Sequence, residues 1–146
     1  MKHNMLKNIK SYQAIAATAA GTDDTITGTA VAVGTAKGAC CTLNLGAITD
    51  TAVLTIKAYG GTSSAQTDLI GQVSRTCGAS DTDDKQMVLD VSEVRQAYIR
   101  FDVVRADANA VVNGGTVTLY NLGDMPAAIV DGDVVAGAIV QDDCSS

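Results

Sequence analysis

Apolar and polar residues alternate along most of this chain with a period of two. The clearest stretch is residues 86–123. There Ala97, Ile99, Phe101 and Val103 fall on one side, and Tyr98, Arg100 and Asp102 on the other. That spacing is the signature of a half-buried strand. A second run, 116–122, sets Val117 and Leu119 against Thr116, Thr118 and Tyr120. Between the two runs lies 106–115, ending in Asn113-Gly114-Gly115, residues that accept the positive φ of a hairpin turn. The pattern predicts a β-hairpin with one apolar face, and with Tyr98 and Tyr120 side by side on its outer face as a cross-strand pair.

The same alternation recurs elsewhere. Residues 25–33 set Thr25, Thr27, Thr29, Val31 and Val33 against Ile26, Gly28, Ala30 and Ala32. Residues 39–48 carry Leu43 and Leu45 on one side, and 52–59 carry Leu54 and Ile56; the short Thr49-Asp50-Thr51 link predicts a second hairpin. Residues 12–19 suit a first strand, 68–75 a short edge segment and 86–91 another strand. Residues 92–96 suit one helical turn capped by Ser92, with Glu93 at its positive end. Loops at 21–24, 34–38, 60–67 and 76–85 are rich in Gly, Ser, Thr and Asp. About eight short strands at regular spacing predict an all-β, two-sheet β-sandwich of jelly-roll type, or a barrel. The expected organisation is a basic arm (1–11), a sandwich domain (12–123) and an apolar and acidic tail or extra hairpin (124–146).

Composition sharpens that picture. The chain has 146 residues, with 16 Val, 16 Thr, one Phe and no Trp. This is enough for one domain with a real core, built from β-branched and small side chains that favour strands. Of 16 acids, 15 are Asp, placed mostly among Gly, Thr and Ser where they close turns. The net charge of −6 argues against sequence-independent nucleic-acid binding. Three of the ten basic residues, Lys2, Lys7 and Lys10, crowd the first ten positions. A basic arm on an acidic body suits docking on another acidic surface; a solubilising terminus is the alternative. Leu6 and Ile9 would share one side of a short helix in that arm. No secretory signal or membrane span is expected. In the tail, AAIV and VVAGAIV flank Asp131-Gly132-Asp133. Such apolar runs need cover, either as a terminal hairpin or on another copy.

Candidate chemistry is sparse. Nucleophilic catalysis needs a base beside Ser, Cys or Thr, and the one histidine, His3, lies in the arm. No cofactor site, phosphate loop or metal set is expected, and the chain reads as a non-enzyme. Asp81, Asp83 and Asp84 could offer oxygens to calcium, but without the glycine and distant glutamate of an EF-hand loop. Cys40, Cys41, Cys77 and Cys144 form no C-x-x-C pair; buried free thiols are expected, with a Cys41–Cys77 disulfide left open.

Three segments, MKHNMLKNIKSYQAIAATAAGTDDTITGTAV at the start, LGAITDTAVLTIKAYGGTSSAQTDL in the middle and YIRFDVVRADANAVVNGGTVTLYNLG late in the chain, together resemble small tailed-phage virion proteins, of the capsid decoration (cement) or head-associated kind. The resemblance covers residues 1–123 and leaves the tail outside. It implies a sandwich subunit on the capsid surface of the virion, made in host cytoplasm, that braces neighbouring major capsid subunits and associates with copies of itself as a homotrimer. It implies no nucleic-acid or membrane partner. The expected contact residues are Lys2, Lys7, Lys10, Leu6 and Ile9 in the arm, and Ile129, Val130, Val134 and Val135 in the tail. A tail or spike-base component is the alternative within the same class. A carbohydrate-binding module is a third reading, disfavoured by the scarcity of aromatic residues.

Overall fold

A computed structural model describes residues 8–78 and 81–121. Its strands are β1 (Ile9–Ile15), β2 (Thr18–Gly21), β3 (Asp24–Ile26), β4 (Val31–Ala32), β5 (Gly38–Ile48), β6 (Val53–Gly61), β7 (Gln66–Thr76), β8 (Gln86–Val91), β9 (Tyr98–Ala106) and β10 (Ala110–Tyr120). All pairings are antiparallel. The first sheet runs β1-β10-β5-β8, with β2 also on β10; the second runs β3-β9-β6-β7, with β4 also on β9. Because β1 and β2 share one neighbour, and β3 and β4 another, each pair fills one strand position. Eight positions result, four per sheet, and the chain passes from sheet to sheet at nearly every connection. This is the two-sheet jelly-roll sandwich that the alternation predicts.

The two faces that meet are aliphatic. Cys41, Leu43, Val117 and Leu119 come from the first sheet and Leu54, Ile56, Ile99 and Val103 from the second, with Phe101 among them. These are the residues that the period of two placed inward. On β6 the burial strictly alternates from Leu54 to Gly60. Burying side chains of this size contributes roughly 1.5–3 kcal/mol each.

Neither predicted hairpin forms. β9 pairs with β3, β4 and β6, whereas β10 pairs with β1, β2 and β5. The apolar faces of β9 and β10 therefore look at each other across the core instead of lying side by side. The same holds for β5 and β6. Alternation fixes which side of a strand is buried but is silent on the neighbouring strand. Consequently Tyr98 and Tyr120 lie in different sheets. Asn113-Gly114-Gly115 is no turn: it lies inside β10, where the register with β5 shifts between Val112 and Gly115, and Gly114 takes φ +102°. The positive φ that the sequence advertises serves a bulge. The chain turns instead at Asp107, φ +70°, with the Ala108 amide donating to the Ala106 carbonyl at 2.9 Å.

Among the described strands, β6–β7 is the hairpin, closed by the loop at 62–65. Residues 25–33 form two short strands with an irregular break at 27–30. There Gly28 passes so close to β9 that a Cβ would stand 2.0 Å from the Phe101 carbonyl oxygen. Residues 92–97 contain no helical turn; the Val94 amide donates to the Lys37 carbonyl at 2.8 Å, and this segment closes one end of the sandwich. Asp23, Asp84 and Asp107 all take positive φ, the turn role expected of the aspartates.

Candidate interaction surface at the open side of the sandwich

The two long sides of the sandwich differ. On one, β1, β2, β3 and β4 carry the chain from the first sheet to the second. On the other, β7 and β8 end their sheets, each bonded to one neighbour among the described strands. A sheet edge presents a row of main-chain donors and acceptors to whatever approaches.

The first side is sealed by buried charge. Arg105 continues the inward series Ile99, Phe101, Val103, and is 3% exposed. Its guanidinium holds the Asp24 carboxylate through Nε at 2.7 Å and through Nη2. Nη1 donates to the carbonyls of Ala19, at 2.6 Å, and Ala110, at 2.7 Å. One side chain thus ties β2, β3, β9 and β10. The hydrogen bonds from Arg105 hold the Asp24 carboxyl below its ordinary value. Nearby, Asp102 is buried although its parity on β9 points outward. It takes two hydrogen bonds from Arg100, at 2.9 and 3.0 Å, and one from the Gly28 amide at 3.1 Å. The irregular 27–30 segment provides that amide, a long-range feature that alternation cannot reveal. Arg105 was not singled out from the sequence, although it keeps the parity of Ile99, Phe101 and Val103.

On the second side lies a groove of about 380 Å³, lined by Leu45, Val73, Arg75, Asp81, Thr82, Lys85, Gln86, Met87 and Val88, with Ser74. Among the described residues the three exposed large hydrophobic ones, Leu69, Ile70 and Val88, all lie on β7 or β8. Asp81 organises the groove wall. Its carboxylate accepts from the Gly78 amide at 2.9 Å and from Arg75 at 3.3 Å, and its carbonyl accepts from the Lys85 ammonium. Asp83 accepts from the Ile48 amide at 2.9 Å. The acidic loop considered for calcium therefore spends two of its carboxylates on pinning itself to the body. Among the described residues no three of His, Cys, Asp and Glu come together as a metal site. Thr82 also lines the groove. It is 8% exposed, and its hydroxyl has no hydrogen-bond partner among the described residues. A smaller cleft of about 250 Å³, bounded by Ala36, Lys37, Glu93, Val94 and Arg95, lies by the 92–97 segment.

Cys40, Cys41 and Cys77 are free. Burial pushes the Cys41 thiol up to about 12, and burial followed by the Asp90 charge raises Cys40. Tyr120 donates to Asp90 at 2.7 Å, and that bond, ahead of burial, raises its hydroxyl to about 12.

Of the residues predicted to make contacts, Ile9 and Lys10 belong to β1, opposite Tyr120 and Leu119 of β10. The strand begins at Ile9, and the Lys10 ammonium sits 5.3 Å from the centre of the Tyr12 ring. Lys2, Leu6, Lys7, Ile129, Val130, Val134, Val135 and Cys144 lie outside the described residues. The groove residues were missed by the sequence reading. Their signal was present only as an alternating strand, 86–91, and a polar loop, 76–85, read separately.

No protein-family model matches the chain, and no curated protein matches it in sequence. Solved structures do match in fold. A structure of infectious bursal disease virus, Gt strain, aligns over 82% of this chain and 35% of that one, with a TM-score of 0.53 and 14% identity. The T13 viral particle of the same virus aligns over 88% of this chain and 34% of that one, with a TM-score of 0.52 and 11% identity. The Eiger TNF of S. frugiperda aligns over 84% and 90% at a TM-score of 0.36 and 10% identity, a likeness too slight to build on. The chain spans about a third of the length of the two viral chains. At these identities what is shared is the jelly-roll fold.

Proposed function

We propose that this protein is a non-enzymatic structural component of a virus particle. The observation that carries the reading is the jelly-roll strand order, aligned over most of the chain with chains of an icosahedral particle. Fold alone does not assign function; the use of the ionisable groups adds to it. The buried ones, Arg105 and Asp102, are bound by structural partners, which is what a rigid building block requires.

The finer reading is a decoration protein that braces neighbouring major capsid subunits, as the tailed-phage resemblance implies. Lys2, Lys7 and Lys10, with Leu6 and Ile9, meet an acidic capsid surface, while Ile129, Val130, Val134 and Val135 are covered by a neighbouring copy. Several weak arms acting together gain strength by multivalency, and binding to the assembled shell alone stabilises that shell by mass action. A trimer is the expected assembly.

Immunoelectron microscopy tests the reading. An antibody raised against the chain should label the outside of intact particles purified from the producing host. Particles in which mass spectrometry finds no trace of the chain would end it. Deleting residues 1–7 should lower occupancy on the shell at physiological salt; full occupancy removes the arm from the account.

A further inference from the structure

We infer that the groove between β7 and β8 is a receptor for the apolar tail, residues 127–140, of a second copy of this chain, added as a strand along the open edge of β8. The inference rests on the shell reading for its direction, from one copy to another, and on the groove itself for its place.

Four observations converge on this groove. First, among the described residues β7 and β8 end their sheets, so each offers an extended segment a row of edge main-chain donors and acceptors. Second, among the described residues the exposed large hydrophobic ones lie on these two strands, and one of them, Val88, lines the groove together with Leu45, Val73 and Met87. Third, the Thr82 hydroxyl lines the groove, buried and without a partner among the described residues. A buried hydroxyl left unpaired costs roughly 1–3 kcal/mol. A main-chain amide or carbonyl on an incoming strand would satisfy it. Fourth, the charges match. The lining holds Arg75 and Lys85 against Asp81 alone, a local excess of one positive charge on a chain of net charge −6.

The tail has the complementary chemistry. Twenty-five residues follow Asn121, and they include five Asp and no Lys or Arg. Two apolar runs flank Asp131-Gly132-Asp133, and the second, 134–140, has seven residues against six in β8. Fully extended, twenty-five residues reach roughly 80 Å, which is ample for a neighbour. The apolar runs would lie over Val88 and Met87, with an aspartate carried towards Arg75 and Lys85. Each copy then gives one tail and accepts one, so a closed ring saturates its own sites.

The test uses the full chain. Sedimentation velocity over a range of concentrations should show reversible self-association. V88K changes a residue that is 51% exposed, so the variant should keep the wild-type melting temperature and lose association. V135D, in the tail, should do the same. Mixed one to one, the two variants should associate pairwise, because one offers an intact tail and the other an intact groove. T82V should weaken association about tenfold, the loss of one hydrogen bond. A wild-type chain that stays monomeric throughout overturns the inference, as does a V88K protein that associates like wild type. Hydrogen-exchange protection of β8 that is the same at every concentration, in a monomer, would place the tail on its own groove and overturn it too. Labelling of virus particles is independent of all these outcomes, so the shell reading can stand or fall separately.

Discussion

The two long sides of the sandwich solve one problem in opposite ways. On the sealed side, short broken strands wrap from one sheet to the other, and Arg105 and Asp102 satisfy the main chain where the strands are interrupted. On the open side, β7 and β8 are long or regular, yet they leave edge groups, exposed Leu69, Ile70 and Val88, and beside them a Thr82 hydroxyl without a partner among the described residues. The sealed side invests polar groups in holding the fold. The open side leaves polar and apolar groups for another chain. Stability and interaction are thus placed on different sides, and each can be perturbed without the other.

The largest effect expected is R105A. It removes four hydrogen bonds at the meeting point of four strands and should destabilise the protein by about 3–5 kcal/mol, read as a fall in the urea midpoint. G28A comes next. The new methyl group would meet a carbonyl oxygen of β9, and the displacement should cost about 1–3 kcal/mol. If either change left the melting curve unmoved, the sealed side would not be where the fold is held.

A pH series refines the same point. Asp24 is held below its usual 3.8 in the fold. A carboxyl with a depressed folded value contributes its stability above the unfolded value and loses it as pH falls. The gap in unfolding free energy between wild type and D24N should therefore be constant above pH 3.8 and close below it. A gap that persisted unchanged into stronger acid would contradict the Arg105 pairing.

Y120F should cost less, about 0.5–1.5 kcal/mol, since it removes one hydrogen bond to Asp90 near the surface. The Tyr120 hydroxyl is raised in the fold to about 12 from 10.0. Its contribution is therefore complete below pH 10.0 and should fade as pH rises from there towards 12. V88K on the open side should change stability by no more than about 0.5 kcal/mol while abolishing self-association. A large loss of stability in V88K would erase the distinction between the two sides.

Much of this molecule could be read from its residues. The inward series Leu54, Ile56 and Ile99, Phe101, Val103 is buried as the period of two requires, because side chains on a strand alternate whatever the strand pairs with. The all-β class, a two-sheet sandwich or a barrel, followed from the count and spacing of such runs. Aspartates at Asp23, Asp84 and Asp107 mark turns because their short side chains tolerate positive φ.

Strand partners were not visible. Gly114 signals positive φ, and both a hairpin turn and a bulge use it; the choice between them was made by β10 pairing with β5 rather than with β9. The groove depended on the same decision. Met87 and Val88 border Arg75 and Thr82 only because β7 and β8 end different sheets on the same side. The sequence by itself determined which face of each strand is apolar and which residues accept a positive φ, since both are local consequences of side-chain chemistry. The tertiary structure alone decided which strands are neighbours, because that depends on closing two sheets over one core, a condition on the whole chain.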